Sequence, residues 1–162
     1  MKNIWVLIAT GFGLGLSPVA SGTFGALLGI PLTYLLFSPR VVAESWVIQI
    51  VIALVLVIIA IPICDKAEGA LGGKKDDGRI VADEYLTVPI TLIGLPLSPA
   101  TMITAFLTHR IFDIIKPPPA RGLQSLKGGL GITIDDAISS LYALGVNWLL
   151  YLYVFPRLGW AN

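Results

Sequence analysis

The segment from Ser45 to Cys64 contains no charged residue, and it constrains the fold more than any other part of the chain. Its sequence is SWVIQIVIALVLVIIAIPIC, which has about the twenty residues that a helix needs to cross the hydrocarbon core of a bilayer. Only 13% of the chain is charged and 56% is hydrophobic, whereas an average soluble domain is roughly 25% charged. We therefore predict an all-α, polytopic helical membrane protein.

Apolar and polar blocks alternate along the 162 residues, and no internal repeat divides them. We predict a single membrane-embedded domain, 1–162, with about three full transmembrane helices and a short N-terminal helix. The apolar segments are 4–16, 24–37, 45–64, 85–112 and 136–156. A break that contains proline and glycine, at 94–99, interrupts the fourth of these segments.

Lysine and arginine concentrate in two polar blocks, one between 65 and 84 and one at 110–127. Because short loops rich in these residues stay on the cytoplasmic side of a membrane, both blocks should face the cytoplasm. A single crossing by 85–112 would put them on opposite faces. We therefore predict that the break at 94–99 makes a re-entrant hairpin of two short helices, since irregular backbone is tolerated at membrane depth where protein buries it.

Seven of the ten carboxylates lie close to the ends of apolar segments, where the hairpin topology would gather them into one layer. They are Asp76, Asp77, Asp83, Glu84, Asp113, Asp135 and Asp136. Carboxylate oxygens are the ligands that Mg²⁺ prefers, with waters and substrate phosphate completing its shell. The pattern favours a cation site that is used in phosphate chemistry.

Some of these acids also have a purely structural interpretation. Asp83 and Glu84 precede an apolar helix and could cap it or interact with its dipole. Asp135 and Asp136 are predicted to open the last apolar helix, where either one could be a cap.

The string HRIFDIIKPPP places Arg110, Asp113 and Lys116 on one broad helix face before Pro117 ends the helix. One interpretation is a salt-bridge set at the interface, with long stems that reach towards water. The other is a metal-binding acid between two cations that bind phosphate.

Four strings carry a resemblance to a known family. They are GFGLGLSPVASGTFGA, DDGRIVADEY, HRIFDIIKPPP and GGLGITIDDA, at 11–26, 76–85, 109–119 and 128–137. In this order they resemble the bacterial phosphatidylglycerophosphatase A family over nearly the whole chain. The resemblance implies a Mg²⁺-dependent hydrolase of the bacterial cytoplasmic (inner) membrane, with its active site facing the cytoplasm. Its substrate would be phosphatidylglycerophosphate in the bilayer, and its products phosphatidylglycerol and inorganic phosphate.

Roles for individual residues follow from the resemblance together with side-chain chemistry. The predicted metal ligands are Asp76, Asp83, Glu84, Asp113 and Asp136. The predicted catalytic residues are Asp83, Asp113, Lys116 and Asp135, the last shared between the metal and the attacking water. The predicted substrate-binding residues are Gly22, Thr23, Arg110 and Lys116. Direct attack by water and an aspartyl-phosphate intermediate both remain open.

The turn before a helix predicted to start near Phe24 would offer free N–H groups to an anion. A polar turn packed between helices is the alternative. Ser21 and Ala26 depart from the Pro-Gly-Thr-x-Gly-Ser string that is usual in the family, whereas Gly22, Thr23 and Gly25 are kept. The shape of the loop is therefore more transferable than any role for Ser21.

Other functions are weighed against the hydrolase. A net charge of +1 and the lack of a basic stripe argue against nucleic-acid binding. The main alternative is a small cation or proton-coupled transporter, but its acids should lie at the bilayer midplane and not at segment ends. An alcohol phosphatidyltransferase would need a longer Asp-Gly…Ala-Arg…Asp…Asp pattern, which is absent.

Overall fold

The computed structural model describes residues 3–42, 45–74 and 77–160, and these ranges contain helices and no strand. The α-helices are α1 (Ile4–Ala9), α2 (Ser21–Leu36), α3 (Pro39–Val42), α4 (Trp46–Ala70), α5 (Ala82–Thr87), α6 (Pro99–Ile115), α7 (Ala120–Leu123), α8 (Gly128–Leu149) and α9 (Phe155–Leu158). A 3-10 helix, Val88–Leu92, continues α5, and a π-helix, Leu150–Val154, joins α8 to α9. The predicted all-α class and the short N-terminal helix are confirmed.

Two helices are long and apolar enough to cross a bilayer. One is α4, with 25 residues, and the other runs through α8 and α9, Gly128–Leu158, with 31 residues. At 1.5 Å per residue α4 is about 38 Å long, which exceeds a hydrocarbon core of about 30 Å. Large apolar side chains along α4 are exposed, including Ile58 at 65% and Leu54 at 57%, so this surface is suited to lipid.

The prediction of about three full spans was wrong for the described residues, which contain two. The remaining apolar segment forms α2, whose 16 residues are about 24 Å long and fall short of a full crossing. Helix α2 is apolar enough for a transmembrane helix, but it is too short to cross the hydrocarbon core.

The segment from α5 to α6 runs out along α4 and returns along α8. At its turn, the N–H of Gly94 donates to Oε1 of Gln49, near the start of α4, at 2.7 Å. At its two ends, Glu84 and Asp113 both accept hydrogen bonds from Arg110. Because α5 packs against 60–67 of α4, the segment covers about 15 residues of that helix, or about 22 Å.

Helix α8 begins at Gly128, eight residues before the predicted start at 136. A Cβ on Gly129 would lie 1.9 Å from the carbonyl oxygen of Ile61, so only glycine lets the two helices approach this closely. The N–H of Gly129 also donates to Oδ1 of Asp65 at 3.2 Å. Asp135 and Asp136 therefore lie two turns inside α8, and the prediction that they open the helix was wrong.

An ion pair between Asp77 and Arg79 fixes the loop that precedes α5. Arg79 donates to both carboxylate oxygens of Asp77, from Nε at 2.9 Å and from Nη2 at 2.6 Å. These hydrogen bonds lower the pKa of Asp77 from 3.8 to about 2. The loop shapes one wall of the cavity described below, because Gly78 and Ile80 line it.

Replacing Asp77 with asparagine is expected to lower the Tm at neutral pH. Since the pKa of Asp77 is lower in the folded chain than its ordinary 3.8, the ion pair stabilises the fold above that pH and is lost as the pH falls towards about 2. Thermal unfolding of both proteins in detergent checks this. The Tm difference should shrink on acidification, and a difference that stays constant from pH 7 to pH 2 would contradict it.

Candidate active site

The first turn of α5 buries two neighbouring carboxylates, Asp83 and Glu84, which are 7% and 9% exposed. Two glycines on one face of α2 make room for Glu84. A Cβ on Gly22 would lie 2.0 Å from its Oε1, and a Cβ on Gly25 would lie 2.2 Å from its Oε2. The Gly-x-x-Gly spacing of α2 therefore forms a seat for the Glu84 carboxylate. Gly22, predicted to bind substrate, lies at this seat.

The end of α6 supplies the cations of the site. Nη1 of Arg110 donates to Oε1 of Glu84 at 3.1 Å and to Oδ2 of Asp113 at 2.6 Å. The helix ends at Ile115, and Lys116 follows in a left-handed conformation, with φ of 48°. The predicted common face of Arg110, Asp113 and Lys116 is thus observed, and it is turned towards the acids of α5 and α8.

Helix α8 adds Asp135 and Asp136, two turns after its start, which are 1% and 2% exposed. Nζ of Lys116 lies 2.5 Å from Oδ2 of Asp135 and 3.7 Å from Oδ1 of Asp113. The carboxyl groups of Asp113 and Asp136 also lie next to each other. Three helices that are distant in sequence therefore bring their acids into one cluster.

These side chains surround a polar cavity of about 300 Å³. Its lining consists of Ser21, Gly78, Ile80, Asp83, Glu84, Asp113, Ile114, Lys116, Gln124 and Asp136. Asp135 and Arg110 contact this lining through Lys116, Glu84 and Asp113. Thr23 is not part of it, and Asp76, a predicted metal ligand, lies outside the described residues.

A larger cavity, of about 740 Å³, lies near the turn at Gly94, between Trp46 and Trp148. The described residues of its lining include no charged side chain, so they offer no charge to a phosphate or a cation. Cavity volume therefore does not identify the candidate active site. The smaller cavity is the candidate, because it contains the charged side chains.

Burial and charge set the protonation of the groups around the polar cavity. Burial, opposed by the charge of Arg110, raises the pKa of Glu84 from 4.5 to about 8. Burial alone would lower the pKa of Lys116, but the charges of Asp136, Asp135 and Asp113 outweigh it and raise that pKa above its usual value. Lys116 is therefore held as a cation, and the acids of the cluster outnumber its cations.

The chemistry of the donor set suits a divalent cation. Oε2 of Glu84 and Oδ2 of Asp136 are buried without a hydrogen-bond partner. Two carboxyl groups in direct contact, as in Asp113 and Asp136, need a proton or a cation between them. Within 3–42, 45–74 and 77–160 no three acids, histidines or cysteines already converge on one point, and Arg110 fills the space between Glu84 and Asp113.

Three residues at or beside the cavity have no role in the sequence-based prediction. Gln124 lies in the polar stretch after α7, where no motif marks it. Ser21 belongs to the wall through its hydroxyl, which donates to the carbonyl oxygen of Gly78 at 2.6 Å. The contact of Gly25 with Glu84 has one trace in the sequence. Gly25 follows Gly22 by three residues, a spacing that puts both glycines on one face of a helix.

Bilayer-length helices with a cavity of buried acids and a lysine at one end define a helical, membrane-associated class of protein, and such a cavity is suited to phosphate esters. Residues 7–151 match the family model described as Phosphatidylglycerophosphatase A. The chain belongs to this family. The match confirms the predicted resemblance and favours the phosphatase over the transporter.

Two curated relatives carry the name of this family, and a third is named as a phosphatase of another lipid. The chain is 35% identical to "Phosphatidylglycerophosphatase A" of Escherichia coli (strain K12), over 93% of this chain and 85% of the relative. It is 37% identical to a protein of the same name from Haemophilus influenzae, over 85% and 83% of the two chains. A Bacteroides thetaiotaomicron protein with the provisional name phosphatidylinositol-3-phosphatase is 38% identical, over 85% and 87%. No solved structure matches the chain significantly.

Proposed function

We propose that this chain hydrolyses the terminal phosphomonoester of phosphatidylglycerophosphate, releasing phosphatidylglycerol and inorganic phosphate, and that it requires Mg²⁺. The observation that carries the proposal is the cavity in which Asp83, Glu84, Asp113 and Asp136 lie beside Lys116. The names of two relatives support the choice of substrate.

The four carboxylates of the cavity would hold the ion, which when bound neutralises phosphate charge and activates a water. Lys116 would bind the phosphate oxygens and stabilise the charge that develops on them. Its ion pair with Asp135 fixes the position of the ammonium group. Arg110 holds Glu84 and Asp113 in place through one nitrogen, Nη1, so Nη2 can contribute to phosphate binding. The role of Asp135 in water activation stays a prediction.

The position of the cavity suits a lipid substrate. The acids lie at the end of the helical bundle where α4 finishes and α8 begins, while the exposed apolar surface of both helices extends away from them. Acyl chains can therefore stay in the bilayer while only the head group enters the cavity.

A phosphate-release assay tests the proposal. Purified protein in mixed micelles is given phosphatidylglycerophosphate or phosphatidylinositol 3-phosphate, with Mg²⁺ or with a chelator. We expect Mg²⁺-dependent release from the first lipid and much slower release from the second. The Bacteroides relative makes the second lipid the relevant comparison. Faster hydrolysis of that lipid would overturn the substrate, undiminished activity in chelator would overturn the metal, and no release from either would overturn the phosphatase.

The segment from α5 to α6 acts as a re-entrant hairpin that enters and leaves the membrane on the cytoplasmic side. Its support is the meeting of both ends at Arg110, while its turn at Gly94 lies beside the start of α4. This arrangement leaves the charged loops around Lys74 and Gly122 on the same side of the bundle as the cavity.

Cysteine labelling tests this topology in a Cys64→Ala background. Single cysteines at Lys74 and Gly122, both exposed, are expected to react from the cytoplasmic face. A cysteine at Arg40, in the short helix α3 between α2 and α4, is the control and is expected to react from the opposite face. Labelling of Lys74 and Gly122 from opposite faces would exclude the hairpin.

A further inference from the structure

His109 is the only histidine of the chain, and the chemistry described above does not use it. Its side chain is completely buried, at 0% exposure, and Nε2 has no hydrogen-bond partner. Nδ1 lies 3.1 Å from the hydroxyl of Ser140, which is also 0% exposed. A buried polar atom without a hydrogen-bond partner destabilises the fold, so an apolar contact at this place would be more stable.

His109 and Ser140 lie at corresponding positions of α6 and α8 relative to Asp113 and Asp136. His109 lies four residues before Asp113 on α6, and Ser140 lies four residues after Asp136 on α8. Residues four apart lie on the same helix face, one turn from each other. The His109–Ser140 hydrogen bond therefore joins α6 to α8 one turn beneath the contact between the Asp113 and Asp136 carboxyl groups.

A second polar contact joins the same helices further from the acids. Oγ1 of Thr108 donates to Oδ1 of Asn147 at 3.2 Å, and Asn147 lies three turns beyond Asp136. This contact holds the helices together near the turn of the hairpin, where Asn147 also donates to the carbonyl oxygen of Thr91. It serves as an internal comparison, because it crosses the same interface from a neighbouring residue of α6 but reaches α8 about three turns from Asp136.

We propose that His109 is a positioning residue that, through Ser140, sets the separation of Asp113 and Asp136 and so the fit of a divalent cation between them. The inference rests on the metal site of the proposed function. Removal of the hydrogen bond lets α6 and α8 adjust at the level where two carboxylates must converge. Outer contacts of this kind typically change metal affinity by about 10–100-fold.

The test compares His109→Leu, which removes the hydrogen bond, with His109→Asn, whose amide can take the place of Nδ1. Ser140→Ala removes the other partner. We expect His109→Leu and Ser140→Ala to raise the Mg²⁺ concentration needed for half-maximal activity by about tenfold or more. His109→Asn should restore it towards the wild-type value. Binding of Mn²⁺ to each purified protein, followed by its electron spin resonance without substrate, should weaken in parallel.

The matched control is Thr108→Val, which removes the other polar contact between the same helices. It is expected to lower the Tm without changing Mn²⁺ binding. Equal weakening of Mn²⁺ binding by Thr108→Val, or wild-type binding by His109→Leu, would overturn the inference. A wild-type protein that binds no Mn²⁺ would instead remove the metal from the proposed function, and the positioning role with it.

Discussion

Replacing Asp136 with asparagine is expected to reduce Mg²⁺-dependent phosphate release by about 10³-fold while the protein stays folded. Asp136 is 2% exposed, its Oδ2 has no hydrogen-bond partner, and its carboxyl group contacts that of Asp113. Loss of one preorganised charged or polar group in an active site costs about 10²–10³ in kcat, and here the cation would lose a ligand as well. Phosphate release measured at saturating lipid, over a range of Mg²⁺ concentrations, checks this.

A measurement of the Tm distinguishes a variant that has lost catalytic activity from one that has lost its fold. Asparagine has nearly the shape of aspartate, and it removes one charge from a cluster in which acids outnumber cations. We therefore expect the Tm without Mg²⁺ to be unchanged or higher. Asp65→Asn is the matched control, because Asp65 is exposed, lies outside the cavity and can still accept from Gly129 as an amide. Near-normal turnover by Asp136→Asn would contradict the assignment.

Replacing Gly22 with alanine is expected to reduce turnover by about 10–100-fold, although the residue bears no functional group. Its Cβ would lie 2.0 Å from Oε1 of Glu84 and 3.0 Å from Nη1 of Arg110, so the carboxylate must leave its seat. Glu84 has a flexible side chain that can move, and alanine favours helix by about 1 kcal/mol over glycine. The fold should therefore persist while activity falls, as turnover and Tm measured together would show.

A glycine in open space provides the control for this substitution. A Cβ on Gly145, in α8, meets no atom within 4 Å. Gly145→Ala should keep full activity and gain about 0.5–1 kcal/mol of stability. If Gly22→Ala retained wild-type turnover, the seat on α2 would not hold a residue that the reaction needs.

The sequence was sufficient to predict features that depend on the distribution of apolar and charged residues within one segment. The uncharged run at 45–64 forms the N-terminal part of α4, and the predicted layer of acids corresponds to the acids that α5, α6 and α8 place at the polar cavity. Both predictions follow from the cost of placing charge in lipid, which acts on each segment separately.

Features that depend on contact between segments could not be predicted in the same way. The early start of α8 is set by Gly129 against the backbone of Ile61, and the seat of Glu84 is set by two glycines far away in sequence. The hydropathy of a segment contains no information about which glycine lies against the backbone or side chain of another segment. The same limit applies to Gln124, which enters the cavity wall only because α7 and the loop after it bring it there.

We propose that carboxylates from α5, α6 and α8 hold a divalent cation at the place where phosphate is cleaved. A structure determined with Mn²⁺, with the ion located by anomalous scattering, would show whether they do. We expect Mn²⁺ in the polar cavity, in contact with Glu84, Asp113 and Asp136. An ion bound elsewhere, or a cavity that binds none at concentrations supporting full activity, would contradict it.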